Sequence, residues 1–198
     1  MLFAKRSFES PKRSFNIFLL DISKQAFSGL WCHTINLTFS VLLQEQVSRG
    51  NGCEWYFINF ICEIVFGILL SYGIHSIVMY FAKKYDILIL QSGVYLSMHD
   101  AEYINRYEWE ELDKHINYRV WFIQLLVWLM VATLAKLIVF GFELEFANEI
   151  IDVGIMSLQV FKGHPVLELL WVMVVVPFTL NTLQYWIQDS FLQGTDYI

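Results

Sequence analysis

The sequence has few charged residues, and this shortage argues against most classes of soluble protein. Only 16% of its 198 residues are charged, whereas a typical soluble domain has about 25%. A formal net charge of −6, without a dense basic patch, argues against nucleic-acid binding. Several apolar runs of about 20 residues place the chain among multi-pass membrane proteins instead. We therefore expect membrane lipids, and no nucleic acid, as its surroundings.

Cysteine is also rare, and the three cysteines show no metal-binding or redox spacing. Cys32 and Cys62 fall in apolar runs, where a thiol behaves as a small apolar side chain. Cys53 lies at a predicted membrane boundary, and we predict a free thiol there. The sequence has no HExxH motif, no nucleophile elbow and no GxGD-like pair of acids. We therefore predict no catalytic residue, no metal, no cofactor and no enzymatic activity.

Four apolar segments predict an all-α fold, a bundle of four transmembrane helices. The predicted spans are residues 24–43, 55–81, 120–142 and 166–187. Residues 1–20 are predicted to form a basic arm with an interfacial segment, residues 21–192 the bundle, and residues 193–198 a short tail. We predict Asp21 or Ser23 as the N-cap of the first span. Trp55 and Tyr56 are predicted to form an aromatic belt at the start of the second.

Residues 82–119 form the long connection between spans two and three. This connection and the N-terminal arm hold nine of the basic residues. Cytoplasmic loops are enriched in Lys and Arg, so we place both termini and the connection in the cytoplasm. Glu110 and Lys114 are spaced i,i+4, which predicts a helix within the connection.

The central feature of the sequence is Glu63, a carboxylate inside an apolar span. It lies about 12 Å below the non-cytoplasmic start of the second span, at about 1.5 Å per residue. Lys136 lies about 9 Å before the corresponding end of the third span. Because consecutive spans run antiparallel, we predict a Glu63–Lys136 ion pair that fixes the register of the two helices. The functional alternative is an ion or proton route, since charges inside bundles often mark one.

The same depth estimate predicts a second polar layer between the first and fourth spans. It brings Lys24 near Asp189 at the cytoplasmic face, and His33 near Asn181 about three turns deeper. Pro177 is predicted to kink the fourth helix because proline removes one backbone donor.

Four stretches of the sequence resemble the STIMATE family, small multi-pass membrane proteins. The similarity covers residues 13–192, nearly the whole chain, and includes Glu63, Lys136 and Pro177. The matching stretches contain LD-x-SKQA in residues 19–30, C-x-x-Y-x-INF-x-x-E-x-x-x-G in residues 53–67, AKLIVF in residues 135–140, and VVVPFTLNTLQYWIQDSFL in residues 174–192.

The resemblance implies a role as a membrane adaptor rather than a reaction. Animal members act in store-operated calcium entry at the endoplasmic reticulum, through a calcium sensor and its channel, and fungal relatives are vacuolar membrane proteins. This sequence has neither the additional N-terminal hydrophobic segment nor the long cytoplasmic tail of animal members, so the resemblance implies none of the activity of that tail.

Two alternatives remain open at this stage. The basic N-terminal arm, with serines and a single acid, is typical of a juxtamembrane arm or of a mitochondrial targeting segment. A mitochondrial targeting segment would favour an accessory subunit of a larger membrane complex, such as a respiratory complex of the mitochondrial inner membrane. A small ion or proton transporter is the other alternative.

Overall fold

A computed structural model of the chain describes residues 2–8, 14–47, 49–92, 95 and 116–192. Within these ranges every regular element is helical, and no strand occurs. The predicted helix around Glu110 and Lys114 lies outside the described residues. So does the tail, residues 193–198.

Six helices make up the described part of the chain. They are α1 (Leu2–Phe8), α2 (Phe15–Val47), α3 (Gly52–Cys62, the π-helical Glu63–Gly67, and Ile68–Lys84), α4 (Tyr118–Glu145), α5 (Ala147–Leu158), and α6 (Pro165–Leu170, the π-helical Trp171–Val175, and Val176–Leu192). Short 3₁₀ turns follow α3 at Leu88–Leu90 and α5 at Gln159–Phe161.

Four of these helices, α2, α3, α4 and α6, are long and apolar enough to cross a membrane. They contain 33, 33, 28 and 26 residues in their candidate spans, whereas a bilayer requires about 20. Large apolar side chains are exposed along all four, as expected for helices in contact with lipid. The predicted all-α, multi-pass fold is therefore confirmed.

The first membrane helix begins earlier than the sequence predicts, at Phe15 instead of residue 24. The Ser14 hydroxyl accepts from the backbone N–H of Ile17 at 3.2 Å and caps this end. Asp21 is fully buried within the helix and accepts a hydrogen bond from the Tyr95 hydroxyl. The predicted cap at Asp21 or Ser23 was wrong, because both residues lie inside a helix that begins at Phe15.

A capped turn precedes α3, but the aromatic belt predicted at the start of this helix is not observed. Gly50 adopts a left-handed φ of 75°, and Asn51 forms a capping box with Glu54. Trp55 and Tyr56 are only 0% and 1% exposed. The belt prediction was wrong because both rings pack into the protein core, away from the surface.

The third membrane helix ends later than predicted, and a short helix follows it. Helix α4 continues to Glu145, past the predicted end at residue 142. Helix α5 follows after one turn residue and packs against α3. A Cβ on Gly154 of α5 would lie 2.8 Å from the Ile58 side chain, so the two helices approach closely at this glycine.

The described chain divides into two compact units. The first contains Met1–Gly29, Tyr72–Val131 and Tyr185–Ile198, and the second contains Leu30–Ser71 and Ala132–Gln184. In the first unit, Trp128 and Val131 pack against Ile74 and Val78. The core of the second unit has three apolar clusters, whose buried members are Leu43, Trp55, Tyr56, Ile58, Phe60, Cys62, Val139, Ala147, Ile151, Leu158, Val172 and Val176.

Candidate functional site

Glu63 begins a π-helical segment in the middle of a membrane helix. The backbone N–H of Ile68 donates to the Glu63 carbonyl, which is the i→i+5 pattern of a π-helix. A π-bulge inserts one residue and so rotates the following face by about 100°. Gly67 lies directly against Glu63, since a Cβ on this glycine would lie 3.3 Å from Glu63 Cγ. Such bulges occur frequently at functional sites.

The structure brings Glu63 and Lys136 together inside the second unit. Lys136 Nζ lies 2.7 Å from Glu63 Oε2, and the side chains are 5% and 8% exposed. A charge-assisted hydrogen bond of this length is strong in the low-dielectric interior of the protein. The depth estimate therefore identified two side chains that do meet.

Asn36 of α2, which was not predicted as a partner of either charge, completes a closed triad with Glu63 and Lys136. Its Nδ2 donates to Glu63 Oε2 at 2.6 Å, and its Oδ1 accepts from Lys136 Nζ at 2.5 Å. Only this orientation of the amide satisfies both neighbours, because a carboxylate only accepts and an ammonium only donates. The triad therefore joins α2, α3 and α4 through one set of charged hydrogen bonds.

Two further polar side chains hold Asn36 in place through its backbone carbonyl. Asn59 of α3 donates its Nδ2 to this oxygen at 3.1 Å, and Ser40 donates its hydroxyl at 2.7 Å. All three residues are at most 3% exposed. Because buried polar groups require partners, the Asn59 bond holds α2 against α3, whereas the Ser40 bond lies within α2.

Glu143, which lies just outside the predicted third span of residues 120–142, is a second buried acid of the same unit. It is 0% exposed and interacts with the Cys62 thiol and with the charges of Lys136 and Glu63. Its spacing of seven residues from Lys136 places both on one face of α4. That spacing was the available signal, and it was missed because the predicted span ended one residue earlier.

His33 and Asn181, predicted to be neighbours, both lie in the second unit. The His33 ring shares a hydrogen bond of 2.9 Å with the Tyr56 hydroxyl of α3. Asn181 is half-buried on α6. The contact that the structure gives His33 therefore links the first and second membrane helices.

Lys24 and Asp189, the other predicted neighbours, are buried in the first unit. Lys24 lies 3.5 Å from Asp21. Asp189 forms a salt bridge of 2.8 Å with Lys5 and accepts from Gln25 at 3.4 Å. The hydrogen bond between Gln25 and Asp189 is thus a polar contact between the first and fourth membrane helices. It involves Gln25, the residue that follows Lys24.

Pro177 lies two residues after the π-helical Trp171–Val175 of α6. The backbone N–H of Val176 donates to Trp171 in the π pattern, so the helical ladder is already altered where the proline removes a donor. The helix continues through Pro177 as Val176–Leu192.

The second unit therefore contains two buried carboxyls and one buried ammonium, supported by amides and a thiol. This arrangement can bind a counter-charge or a proton. Within the described residues, no group of three or more His, Cys, Asp or Glu side chains is placed to hold a metal ion.

These helices and their buried charges define a multi-pass helical membrane protein. The model of the STIMATE family matches residues 53–194, and the chain belongs to that family. This range contains Glu63, Lys136 and Glu143.

One curated relative is the vacuolar membrane protein YPL162C of Saccharomyces cerevisiae. It is 25% identical over 207 residues, which cover 98% of this chain and 71% of the relative. No solved structure matches the chain significantly.

Proposed function

We propose that the protein is a non-enzymatic adaptor or regulator of other membrane proteins, in the endoplasmic-reticulum or vacuolar membrane. The implied context is calcium entry, and the expected partner is a membrane-embedded calcium sensor or channel. Family membership and the vacuolar relative support the membrane and the class of role. The structural observation that carries the proposal is the sparse burial of α6.

Helix α6 is covered by its own chain far less than the other membrane helices. In its most apolar stretch 11% of the residues are buried, whereas in the corresponding stretches of α2, α4 and α3 the shares are 28%, 39% and 44%. Trp171, Phe178 and Trp186 are each at least 42% exposed on it. Exposed aromatic side chains are enriched at protein interfaces, so α6 is the surface best suited to a partner helix.

Asn181 gives this surface a polar contact point. It is half-buried in the middle of α6, and a side-chain amide at membrane depth requires a hydrogen-bond partner. Amides in membrane helices bond across helix–helix contacts. A partner helix packed on α6 would supply that bond.

The test is to delete the gene, restore it with tagged variants, and measure calcium entry after depletion of the stores. Wild type should restore entry and localise to the endoplasmic reticulum or vacuole. Asn181→Leu should localise correctly but restore entry poorly. Thr182→Val is the matched control, because the Thr182 hydroxyl bonds only to a carbonyl of its own helix in the described contacts. Full restoration by N181L would contradict the role of this surface.

An accessory structural subunit of a larger membrane complex is the alternative, and the exposed face of α6 supports it equally. Purification in mild detergent separates the two functions. Stoichiometric comigration with a respiratory complex, together with mitochondrial localisation, would replace the calcium-entry proposal.

A further inference from the structure

We propose that Glu143, Glu63 and Lys136 form a proton-binding site inside the bundle, in which Glu143 holds the proton. The ligand is H⁺, bound reversibly by a carboxyl group. This inference is independent of the adaptor proposal, because it rests only on the buried charges of the second unit.

The first observation is an excess of buried acid. Among the described residues of the second unit, the charged side chains classed as buried are Glu63, Glu143 and Lys136. The other acids of this unit are exposed or partly exposed. One ammonium neutralises one carboxylate, so two ionised acids would leave a net negative charge in the protein interior. An uncompensated buried charge is avoided by taking up a proton.

The second observation identifies which acid holds the proton. Glu63 accepts hydrogen bonds from the Lys136 ammonium at 2.7 Å and from the Asn36 amide at 2.6 Å, so its carboxylate oxygens have donors within the protein. Neither carboxyl oxygen of Glu143 accepts a hydrogen bond from an N–H or O–H group of the described residues. Its neighbour Cys62 offers a thiol, which is a weak donor. The proton is therefore assigned to Glu143.

The titratable groups that face Glu143 come from two helices. Cys62 and Glu63 approach from α3, and Lys136 lies two turns away on the same helix, α4. Around them the helix contact is apolar, since Ile58, Cys62 and Val139 form a cluster. An apolar wall keeps counter-ions out and so leaves protonation as the route to charge balance.

The position of Glu143 determines how the proton reaches it. Glu143 lies two residues before the end of α4, so about 3 Å from that helix end at 1.5 Å per residue. The site is therefore close to the membrane face at which α4 ends. We infer reversible binding from that face.

Infrared spectroscopy of the full-length protein in lipid nanodiscs tests the proposal, because protonated carboxyls have their own carbonyl stretch. At mildly acidic pH the wild type should show one buried protonated acid per chain, with the deuterium shift of an exchangeable proton. The band should disappear in Glu143→Gln, convert to carboxylate as the pH is raised, and return when it is lowered. Glu145→Gln, an exposed acid of the same helix, is the matched control and should retain the band.

Counting the buried charges also predicts the infrared spectra of two further variants. Lys136→Met should show two protonated acids per chain, because Glu63 loses its counter-charge. Glu63→Gln should show none, because Lys136 becomes available to Glu143. A Glu63→Gln protein that keeps the band would overturn the shared site.

Wild type and Glu143→Gln decide the matter even if the other two variants do not fold, since an amide is a neutral replacement of similar shape. Identical spectra in the protonated-acid region would show that Glu143 is ionised and would overturn the proposal. A band that does not respond to pH would overturn reversible binding.

Discussion

Removing one charge of the Glu63–Lys136 pair should destabilise the protein, and removing both should cost less than the sum. The two side chains are 8% and 5% exposed and 2.7 Å apart. Removing one partner of a buried pair costs about 3–5 kcal/mol in soluble proteins. An unpaired charge at the centre of a membrane helix costs about 3 kcal/mol on the insertion scale. We therefore expect Glu63→Gln and Lys136→Met each to lower the free energy of unfolding by about 3 kcal/mol.

The double variant should be about as stable as either single variant. Each single change breaks the ion pair of 2.7 Å and leaves one charge that needs a new proton or a more distant partner, whereas the double change removes both charges. Independent sites would add to about 6 kcal/mol, so we expect a coupling free energy of about 3 kcal/mol, near the upper end of that seen for contacting residues. Asn36 can bond to the replacement amide, which further limits the loss in the double variant.

Reversible unfolding of the purified protein in micelles of increasing SDS fraction measures these four free energies. Glu145→Gln with Lys162→Met is the control pair, because both residues are exposed and no hydrogen bond or salt bridge among the described residues joins them. Their effects should add within about 0.5 kcal/mol. If the effects of Glu63→Gln and Lys136→Met also add within about 0.5 kcal/mol, the ion pair is refuted as a source of stability.

Three further predictions use the same unfolding assay. Asn36→Leu should cost about 1–3 kcal/mol, because it leaves buried charged groups without a hydrogen bond, and an unchanged stability would contradict the triad. Gly154→Ala should cost about 1–3 kcal/mol through overpacking. Gly141→Ala is the control and should cost nothing, because the space around its Cβ is open. Equal effects of the two changes would argue against the close helix contact. Arg49→Ala should cost less than about 1 kcal/mol despite its salt bridge of 2.5 Å to Asp152, since the side chains are 49% and 61% exposed.

Much of the fold could be predicted from the sequence because a bilayer imposes simple constraints. A span needs about 20 apolar residues with internally satisfied backbone groups, so four apolar runs predicted four membrane helices. The rise of about 1.5 Å per residue converts positions into depths. Two charges at similar depth on consecutive helices, Glu63 and Lys136, were thereby predicted to meet.

Burial within the bundle could not be predicted in the same way. Asn36 completes the triad and Glu143 is buried, although neither was predicted to contact the ion pair. Trp55 and Tyr56 lie in the core, although they were predicted to form an aromatic belt. Sequence hydropathy gives the depth of a residue but not its direction around the helix axis.

The physical reason is that lipid tails are as apolar as the side chains of a protein core. In a soluble helix, a polar face identifies the exposed side, but a membrane helix is apolar on both its lipid and its protein faces, and no hydrophobic driving force between helices selects one. The spans and the depth of their charges therefore follow from the order of the amino acids. Which side chains face one another depends on helix packing and on the π-helical segment at Glu63, and these exist only in the folded chain.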